Sequence, residues 1–487
     1  MWYKFSEIVG QALISGKTNQ THFSIITLFS FFKLNDPFRL IGIGIYILLL
    51  TFVYLIFNPF PTTGPQLMWM LLGERLGEGY YLYQDVIDDI GPLSAGFFTF
   101  VDYLFGRNML AYEVIGRLLI SFQILYWNSM LIKFKAFDIN TYLPAIIMAA
   151  LFHFSFDLLS LSPALLGSTF LILALGQLFS QTVLQQDTSE STLLIGIYAG
   201  LATGFHPNYI LFLPYMIFTG IAISGFSFRQ LMLSLVGYFL PLLLISVFYF
   251  WNGGLEEAVQ IWPLTFLSEK YVYQSLLDWF ILGIFPISLA GLGYFMATVL
   301  RAATINQQKQ RQLVIIWLLF SVAQFFLIKK QASFQLVILI PGLTYLITQF
   351  FLNIKKEMLA KIAFYLLVVG LPAVSILYWQ DKITDSDYFV DKDNESYTED
   401  IMILGDDLAP YQNARLGGPF LNYRLSKIYL AQDRDLREKA RLFQMLQKQM
   451  PSTILDPNGD FEKLLKQFPA LEHQYSKTSL GVFTVKE

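Results

Sequence analysis

Long apolar runs recur along most of the chain, separated by short polar or basic stretches. A helix needs about 20 predominantly apolar residues to cross the hydrocarbon core of a bilayer. The pattern therefore predicts an α-helical polytopic membrane protein with about eleven spans. The predicted spans are residues 39–57, 109–132, 142–159, 163–184, 193–205, 208–224, 229–250, 277–299, 312–328, 333–351 and 362–379. Between 193 and 224 the alternative is one bent helix plus a re-entrant piece, because Pro207 interrupts two short halves.

The composition agrees with a membrane protein. Hydrophobic residues make up 55% of the 487 residues and charged residues 14%, whereas soluble domains carry about 25% charged residues. The net charge of −3 does not indicate a nucleic-acid partner. The chain contains no cysteine, which excludes disulfides, thiolate metal ligands and a cysteine nucleophile. Its four histidines lack the spacing of an HExxH motif, so no transition-metal site is expected.

The segment from Pro92 to Gly106, "PLSAGFFTFVDYLFG", is predicted to be a helix that lies on the membrane surface. It is short for a span, and Asp102 falls in its middle, where a charge at mid-bilayer costs roughly 2.5–3.5 kcal/mol. With this segment outside the bilayer, the basic residues that flank the spans fall on the cytoplasmic side, as the positive-inside rule requires. These residues are Lys33, Arg39, Lys133, Lys135, Arg229, Arg301, Lys309, Arg311, Lys355, Lys356 and Lys361.

The same topology divides the chain into three parts. Residues 1–38 form a cytoplasmic N-terminal segment, and residues 39–379 form the membrane domain, whose first extracytoplasmic loop, 58–108, carries surface helices. One of these is the amphipathic stretch "PQLMWMLLGERLGEG". An odd number of spans places residues 380–487 outside the cytoplasmic membrane. Helical periodicity in "RDLREKARLFQMLQKQM" and a strand pattern in "SLGVFTVKE" predict a small α/β domain there.

Acidic residues are concentrated in the outer-loop stretch "GEGYYLYQDVIDDIGPLSAGFF". Loop aspartates before Gly-Pro commonly form turns or cap helices, and Asp89 is placed to cap the helix that begins at Pro92. The functional interpretation is that Asp85 and Asp88 are catalytic. A carboxylate beside an apolar groove can serve as general base toward an incoming hydroxyl. Asp85 and Asp88 are equally the candidate ligands of a divalent cation, although no metal site is assigned.

Two basic sites could receive an anionic group. Lys329 and Lys330, in "FFLIKKQASFQ", are the main basic pair on the outer side, where lysines either extend to the lipid headgroups or bind a phosphate. Arg117 lies inside a predicted span, where an arginine usually faces a cavity or a partner. Its structural alternative is an ion pair with Glu113, four residues earlier.

A second group of candidates lies near the same outer boundary. His206 precedes the helix break at Pro207, and a lone histidine there is either structural or lines a cavity. Asp157, at the outer end of a predicted span, needs a partner or water because of its charge. Together with Tyr83 and Asp89, these residues are candidates for the lining of a secondary cavity.

The stretch "LLGERLGEGYYLYQDVIDDIGPLSAGFFTFVDYLFGRNMLAYEVIGRLL" resembles the first outer loop of GT-C membrane glycosyltransferases, such as protein O-mannosyltransferases and aminoarabinose transferases. The matching positions are Gly79, Tyr83, Asp85, Pro92, Leu93, Leu104, Phe105, Gly106 and Arg117. "IGIYAGLATGFHPNYILFLPY" and "IKKQASFQLVILIPGLTYLI" are similar to later spans of that superfamily, so the resemblance covers nearly the whole chain. The mid-chain spans also resemble those of uncharacterised bacterial multispanning proteins.

The resemblance implies that a polyprenyl-phosphate-linked sugar is the donor and that a loop carboxylate activates an acceptor. The chain departs from the pattern at one point, because catalytic members usually carry an acid directly after the first span and residues 58–72 contain none. Two hypotheses follow. The protein is a glycosyltransferase in which Asp85 and Asp88 act on the acceptor while Lys329, Lys330 and Arg117 hold the phosphate. Alternatively, it is a non-catalytic scaffold or lipid-binding component of envelope assembly or export.

Overall fold

The computed structural model of the chain describes residues 28–57, 59–183, 189–299, 303–383, 388–390, 397–431 and 436–486. The sequence predictions for most of the N-terminal segment and for Arg301 lie outside these ranges. In chain order, the helices of the described membrane domain are α1 (Leu28–Lys33), α2 (Arg39–Phe57), α3 (Gly64–Gly77), α4 (Pro92–Phe105), α5 (Met109–Lys133), α6 (Leu143–Phe152), α7 (Pro163–Val183), α8 (Ser189–Phe205), α9 (Pro207–Ser224), α10 (Phe228–Trp251), α11 (Leu255–Thr265), α12 (Leu276–Val299), α13 (Ile305–Leu327), α14 (Ser333–Asn353) and α15 (Glu357–Asp381).

Nine helices in the described part of the chain are long and apolar enough to cross a membrane, namely α2, α5, α7, α9, α10, α12, α13, α14 and α15. Each overlaps a predicted span, which confirms the polytopic helical fold. Helix α13 begins seven residues before its predicted span because a capping box extends it through polar residues. In that box the Thr304 side chain accepts the Gln307 backbone N–H, while the Gln307 side chain accepts the Thr304 backbone N–H.

The other two predicted spans, 142–159 and 193–205, are not among these nine helices. The prediction of one span over 142–159 is wrong, because α6 ends at Phe152 and only a 3₁₀ turn, Phe156–Leu159, follows. All ten residues of α6 are buried, so this apolar run packs inside the helix bundle. Helices α8 and α9 are separate elements that meet at His206 and Pro207, where proline has no N–H to continue the helix.

Helix α3 is enclosed by protein on almost all sides. Thr63 and Gln66 form a capping box at its start, and eleven of its fourteen residues are buried. The prediction that this stretch is an amphipathic surface helix is therefore wrong, because the C-terminal part of the chain covers its outer side. Arg75 donates to Gln449 Oε1 at 3.0 Å, and Glu74 pairs with Arg415 at 3.5 Å.

Helix α4 forms where the surface helix was predicted, and it exposes an aromatic face that includes Phe100 and Tyr103. An exposed apolar stripe of this kind fits a helix that lies against lipid. Its N-cap residue is Gly91, with no side-chain capping bond. The prediction that Asp89 caps this helix is wrong, because the Asp89 carboxylate is paired with Lys330.

A small α/β domain forms the C-terminal part of the chain, as predicted. Its described strands and helices are β3 (Asp400–Ile403), β4 (Arg415–Leu416), α16 (Tyr423–Ala431), α17 (Leu436–Lys448), β5 (Thr453–Leu455), α18 (Asp460–Gln467), α19 (Pro469–Glu472), β6 (Tyr475–Ser479) and β7 (Val482–Val485), and they follow the short strands β1 (Tyr271–Val272) and β2 (Lys330–Gln331) of the membrane domain. The five-stranded sheet of the C-terminal domain has the order β4-β3-β5-β7-β6, with β3 parallel to β4 and β5, and β7 antiparallel to β5 and β6.

This domain packs on the loops at one end of the helix bundle. The backbone N–H of Ile87 donates to Pro419 O at 2.8 Å, and the N–H of Asn422 donates to Ile87 O at 3.3 Å. Arg424 donates to the carbonyl oxygen of Lys270 and stacks on the Tyr271 ring. We call this end of the molecule, formed by residues 78–91, 268–275 and 328–333 with the C-terminal domain, the loop face.

Candidate functional site

The acidic stretch adopts a tight turn on the loop face. Tyr83 has a φ of 69°, a left-handed conformation that is unusual for a residue with a side chain. The turn is held by the Tyr83 N–H, which donates to Val86 O at 2.7 Å, and by the Tyr83 hydroxyl, which donates to Ile90 O at 2.6 Å. The hydroxyl bond ties Tyr83 to the backbone directly after Asp88 and Asp89.

Lys330 comes to the same place from a different loop. It lies in β2 (Lys330–Gln331), which pairs in parallel with β1 (Tyr271–Val272). The Lys330 ammonium binds Asp89 Oδ1 at 2.6 Å, and the Lys330 side chain is 7% exposed, against 19% for Asp89. The structure thus joins two sequence candidates that are 241 positions apart.

Lys329 takes a different position from Lys330. Lys329 precedes β2, and no ion pair joins its side chain to Asp89 among the described residues. Lys329 contributes its backbone carbonyl, which accepts the N–H of Tyr271 at 2.7 Å. The predicted role of Lys329 in phosphate binding stays a prediction.

The pKa values of Asp88 and Asp89 are shifted in opposite directions although the two residues are adjacent. Burial raises the pKa of Asp88 above its usual range, and the negative charge of Asp89 adds to this, while Lys330 opposes it. Burial also acts to raise the pKa of Asp89, but the charge and hydrogen bond of Lys330 outweigh it and lower the pKa. Asp88 Oδ1 accepts the N–H of Ile90 at 2.9 Å, whereas its Oδ2 is buried without a hydrogen-bond partner among the described residues.

His206 and Gly91 position this pair against the membrane helices. A Cβ at Gly91 would lie 2.4 Å from the carbonyl oxygens of both Gly204 and Phe205, so only glycine allows the loop to approach the end of α8 so closely. His206 follows directly and is close enough to Asp89 and Lys330 to interact with both electrostatically. The secondary candidates Asp89 and His206 therefore belong to one buried cluster with Asp88 and Lys330, which we call the Asp–Lys cluster.

Asp157 lies deeper, beside the start of α14. Its Oδ2 accepts the N–H of Phe334 at 3.1 Å and the hydroxyl of Tyr388 at 2.8 Å. The Tyr388 ring is 5.0 Å from that of Tyr273, and Tyr273 is within electrostatic reach of Lys330 and Asp89. Asp157 is thus connected to the Asp–Lys cluster through two tyrosines.

Asp85, the leading sequence candidate, is engaged by the C-terminal domain. Its Oδ1 accepts Lys448 at 2.8 Å, its Oδ2 accepts the Tyr81 N–H at 2.9 Å, and its backbone carbonyl accepts Gln449 at 2.6 Å. The side chain is 6% exposed. These contacts anchor the turn, and the catalytic role of Asp85 stays a prediction.

Arg117 pairs with Glu113 in the same helix, α5, as the structural alternative expected, and its Nε donates to Thr51 at 3.1 Å. The pair lines a cavity of about 200 Å³ that also includes Gln66 and Phe156. The residues that line this cavity differ from those of the Asp–Lys cluster. The structure therefore does not bring Arg117 together with Lys330, and the predicted phosphate contact of Arg117 stays a prediction.

A large apolar groove begins beside the Asp–Lys cluster. It has a volume of about 650 Å³ and lies between α3 and α4 on one side and α8 and α10 on the other. Leu82, Leu93 and Tyr249 are among the residues that line it. The ring of Tyr249 is 5.7 Å from that of Tyr83, whose hydroxyl binds Ile90 O. One end of the groove therefore adjoins the turn that carries Asp88 and Asp89.

Within the described ranges, no group of three or more His, Cys, Asp or Glu side chains is placed to hold a metal ion. The predicted cation ligands Asp85 and Asp88 have other partners, namely Lys448 for Asp85 and the N–H of Ile90 for Asp88. A divalent cation at this site stays a prediction that these contacts do not favour.

Sequence reasoning missed the residues that the C-terminal domain and the later loops supply. Lys448, Gln449 and Tyr388 contact the candidate aspartates. Lys448 and Gln449 lie in a segment whose pattern indicates only a helix, and Tyr388 lies in an acidic, polar stretch without a motif. The choice of partner depends on how the domain docks, and no local signal in the sequence gives that.

Comparison with known proteins supports the fold. No protein-family model and no curated protein matches the chain. The crystal structure of ArnT from Cupriavidus metallidurans in the apo state is 11% identical, with a TM-score of 0.51, and the match covers 92% of this chain and 97% of that one. The structure of the same ArnT bound to undecaprenyl phosphate is 12% identical, with a TM-score of 0.49 and coverage of 93% and 98%. The chain therefore shares the GT-C fold of ArnT that its sequence motifs indicated.

Proposed function

We propose that the protein is a GT-C-like membrane glycosyltransferase that moves a sugar from a polyprenyl-phosphate-linked donor to an acceptor at the outer face of the cytoplasmic membrane. The observation that carries the proposal is the apolar groove, whose lining residues 80–82 and 92–93 flank Asp88 and Asp89 of the Asp–Lys cluster in the chain. A long isoprenoid chain needs an apolar channel, and the sugar phosphate at its end needs a cation and an acid–base group.

Lys330 is the candidate contact for the donor phosphate. An ammonium group has three N–H donors, and one of those on Lys330 is used by Asp89 at 2.6 Å. The remaining donors are available to a phosphate oxygen.

Asp88 is the candidate general base. In a single displacement, the acceptor hydroxyl oxygen forms a bond to the anomeric carbon while the bond from that carbon to the phosphate oxygen breaks. The hydroxyl proton passes to the ionised carboxylate of Asp88, and polyprenyl phosphate leaves with its charge near Lys330. A base whose pKa is raised toward the working pH accepts this proton better than Asp89, whose pKa is lowered. The configuration at the sugar carbon is inverted.

The proposal is tested by transfer of labelled sugar from polyprenyl-phosphate donors by the purified full-length protein in lipid vesicles. We expect Asp88→Asn to reduce turnover by about a hundredfold or more, the usual contribution of a general base. Asp102→Asn, in the neighbouring helix α4, is the matched control and should keep turnover within about twofold of the wild type.

Two results would contradict the proposal. The first is wild-type protein that neither turns over nor binds any polyprenyl-phosphate sugar, which would favour the scaffold hypothesis. The second is Asp88→Asn protein that stays fully active while Asp85→Asn protein loses turnover, which would return the catalytic role to Asp85.

A further inference from the structure

A second cavity on the loop face has a different character from the apolar groove. It is a cleft of about 220 Å³ between α11 of the membrane domain and helices α16 and α17 of the C-terminal domain. Carboxylates, amides and cations line it, including Gln84, Glu257, Gln260, Arg441 and Gln444. We call it the polar cleft. The candidate transfer chemistry uses none of these side chains.

Amide side chains give the polar cleft both hydrogen-bond donors and acceptors. Gln84, Gln260 and Gln444 are among the residues that line it. Gln84 Oε1 and Glu257 Oε2 are buried and have no hydrogen-bond partner among the described residues, and the other carboxylate oxygen of Glu257 pairs with Arg441 at 3.4 Å. An amide can both donate to and accept from a hydroxyl group, so this lining suits a ligand that carries hydroxyl groups.

The charges of the polar cleft favour an uncharged ligand. Asp85, Glu257 and Glu438 contribute three negative charges, while Arg441 and Lys448 contribute two positive charges, so the lining carries a net charge of −1. Both cations are already paired, Lys448 with Asp85 at 2.8 Å and Arg441 with Glu256 at 2.7 Å. A phosphate would meet a negative lining with its cations occupied, whereas a sugar ring offers hydroxyl donors without charge.

The polar cleft and the apolar groove lie on the two sides of one short segment. Tyr80, Tyr81 and Leu82 line the groove, and Gln84 and Asp85 line the cleft. The Asp–Lys cluster follows three residues later in the same turn. The lining residues of both cavities therefore lie within a few positions of Asp88 and Asp89 in the chain.

We propose that the polar cleft is a saccharide-binding site for an uncharged sugar unit. This assignment rests on the glycosyl transfer proposed above, and in that reaction the polar cleft binds the sugar unit of the acceptor. The C-terminal domain then forms part of acceptor recognition through α16 and α17.

The test is ligand-observed NMR on the full-length protein in lipid nanodiscs, with a panel of neutral mono- and disaccharides and with inorganic phosphate as separate probes. We expect at least one neutral saccharide to bind. Gln84→Ala and Gln444→Ala should each weaken it by about tenfold, the effect of one lost hydrogen bond. Gln447 lies on the same helix as Gln444 but does not line the cleft, so the Gln447→Ala variant should bind the saccharide as the wild type does.

Three results would overturn the proposal: no binding by any saccharide, phosphate binding in place of saccharide, or equal binding by the Gln84→Ala, Gln444→Ala and Gln447→Ala variants. Because the measurement needs no turnover, it separates the two proposals. If a saccharide binds but no sugar is transferred, the polar cleft is a saccharide-binding site but not the acceptor site of a glycosyltransferase. Transfer without saccharide binding would uphold the enzyme and reject the cleft.

Discussion

Asp88 and Asp89 are consecutive residues with opposite electrostatic environments. Asp88 is 1% exposed, and among the described residues its carboxyl accepts the N–H of Ile90, whereas Asp89 has the ammonium of Lys330. The sequence indicated that the acidic stretch is special, but it favoured Asp85 from its place in a largely apolar segment of the outer loop. Which aspartate meets a lysine depends on the turn at Tyr83 and on the pairing of β1 with β2. Neither feature has a reliable local signal.

The raised pKa of Asp88 predicts a pH dependence. Below this pKa Asp88 is protonated and cannot accept a proton, so turnover should rise as the pH increases through it. The free energy of unfolding should change in the opposite sense. A carboxyl whose pKa is raised by folding stabilises the protein below its unfolded pKa, and this stabilisation is lost as the pH rises through the folded pKa.

Turnover and thermal unfolding of the reconstituted protein, measured across the pH range, check both signs. Asp88→Asn protein should lack the fall in stability with rising pH, and Asp102→Asn protein should retain it. A wild-type profile of turnover that is flat or falls over the same range would contradict the role of Asp88.

The buried ion pair predicts an asymmetric effect on stability. Lys330→Met leaves the Asp89 carboxylate buried without its partner, which should lower the free energy of unfolding by about 3–5 kcal/mol. The double variant Asp89→Asn with Lys330→Met removes both charges and should recover part of this loss. Denaturant or thermal unfolding in detergent measures the free energy of unfolding of the single and the double variant. A double variant less stable than Lys330→Met alone would contradict the pairing.

At the scale of elements, length and polarity were sufficient to predict most helices. Nine spans, helix α4 and helix α17 lie where the pattern indicated, because each depends on a local run of residues. The predictions were wrong for two segments that are apolar because other parts of the protein enclose them. Burial in protein and burial in lipid both require apolar residues, so the sequence pattern does not distinguish them. Helix α6 is apolar because it is enclosed by other helices, and α3 is enclosed by the C-terminal domain.

The contact between α17 and the acidic turn predicts a positioning role for the C-terminal domain. Lys448 and Gln449 hold Asp85, three residues before Asp88. Lys448→Met should lower kcat by about ten- to a hundredfold through misplacement of Asp88, while the KM for the donor stays unchanged. Lys439→Met, an exposed lysine of the same helix, is the control. A change in KM alone, or equal effects of both variants, would reject this role.

At the scale of the whole molecule, the loop face brings together elements that are distant in the chain. The apolar groove opens between membrane helices, and the polar cleft opens between the two domains. The turn that carries Asp88 and Asp89 contributes neighbouring residues to both cavities. The fold could be predicted from motifs spread over the chain. The site could be predicted only as a set of candidates, because it is assembled from a turn, a two-residue strand pair and a docked domain.

The central claim is that the groove holds a polyprenyl chain whose phosphate reaches Lys330, and equilibrium binding of polyprenyl phosphate to the protein in nanodiscs tests it most directly. Gly96 lines the groove, and a Cβ at this position would meet no atom within 4 Å, so Gly96→Phe is expected to place its ring in the groove. A Cβ at Gly291, on α12, would also meet no atom, and Gly291→Phe is the control.

We expect Gly96→Phe and Lys330→Met each to weaken binding by about tenfold or more, in line with the loss of a charged hydrogen bond or of the apolar channel. Gly291→Phe and Lys329→Met should stay within about twofold of the wild type. Equal affinity of all four variants and the wild type, or no binding by the wild type, would contradict the account.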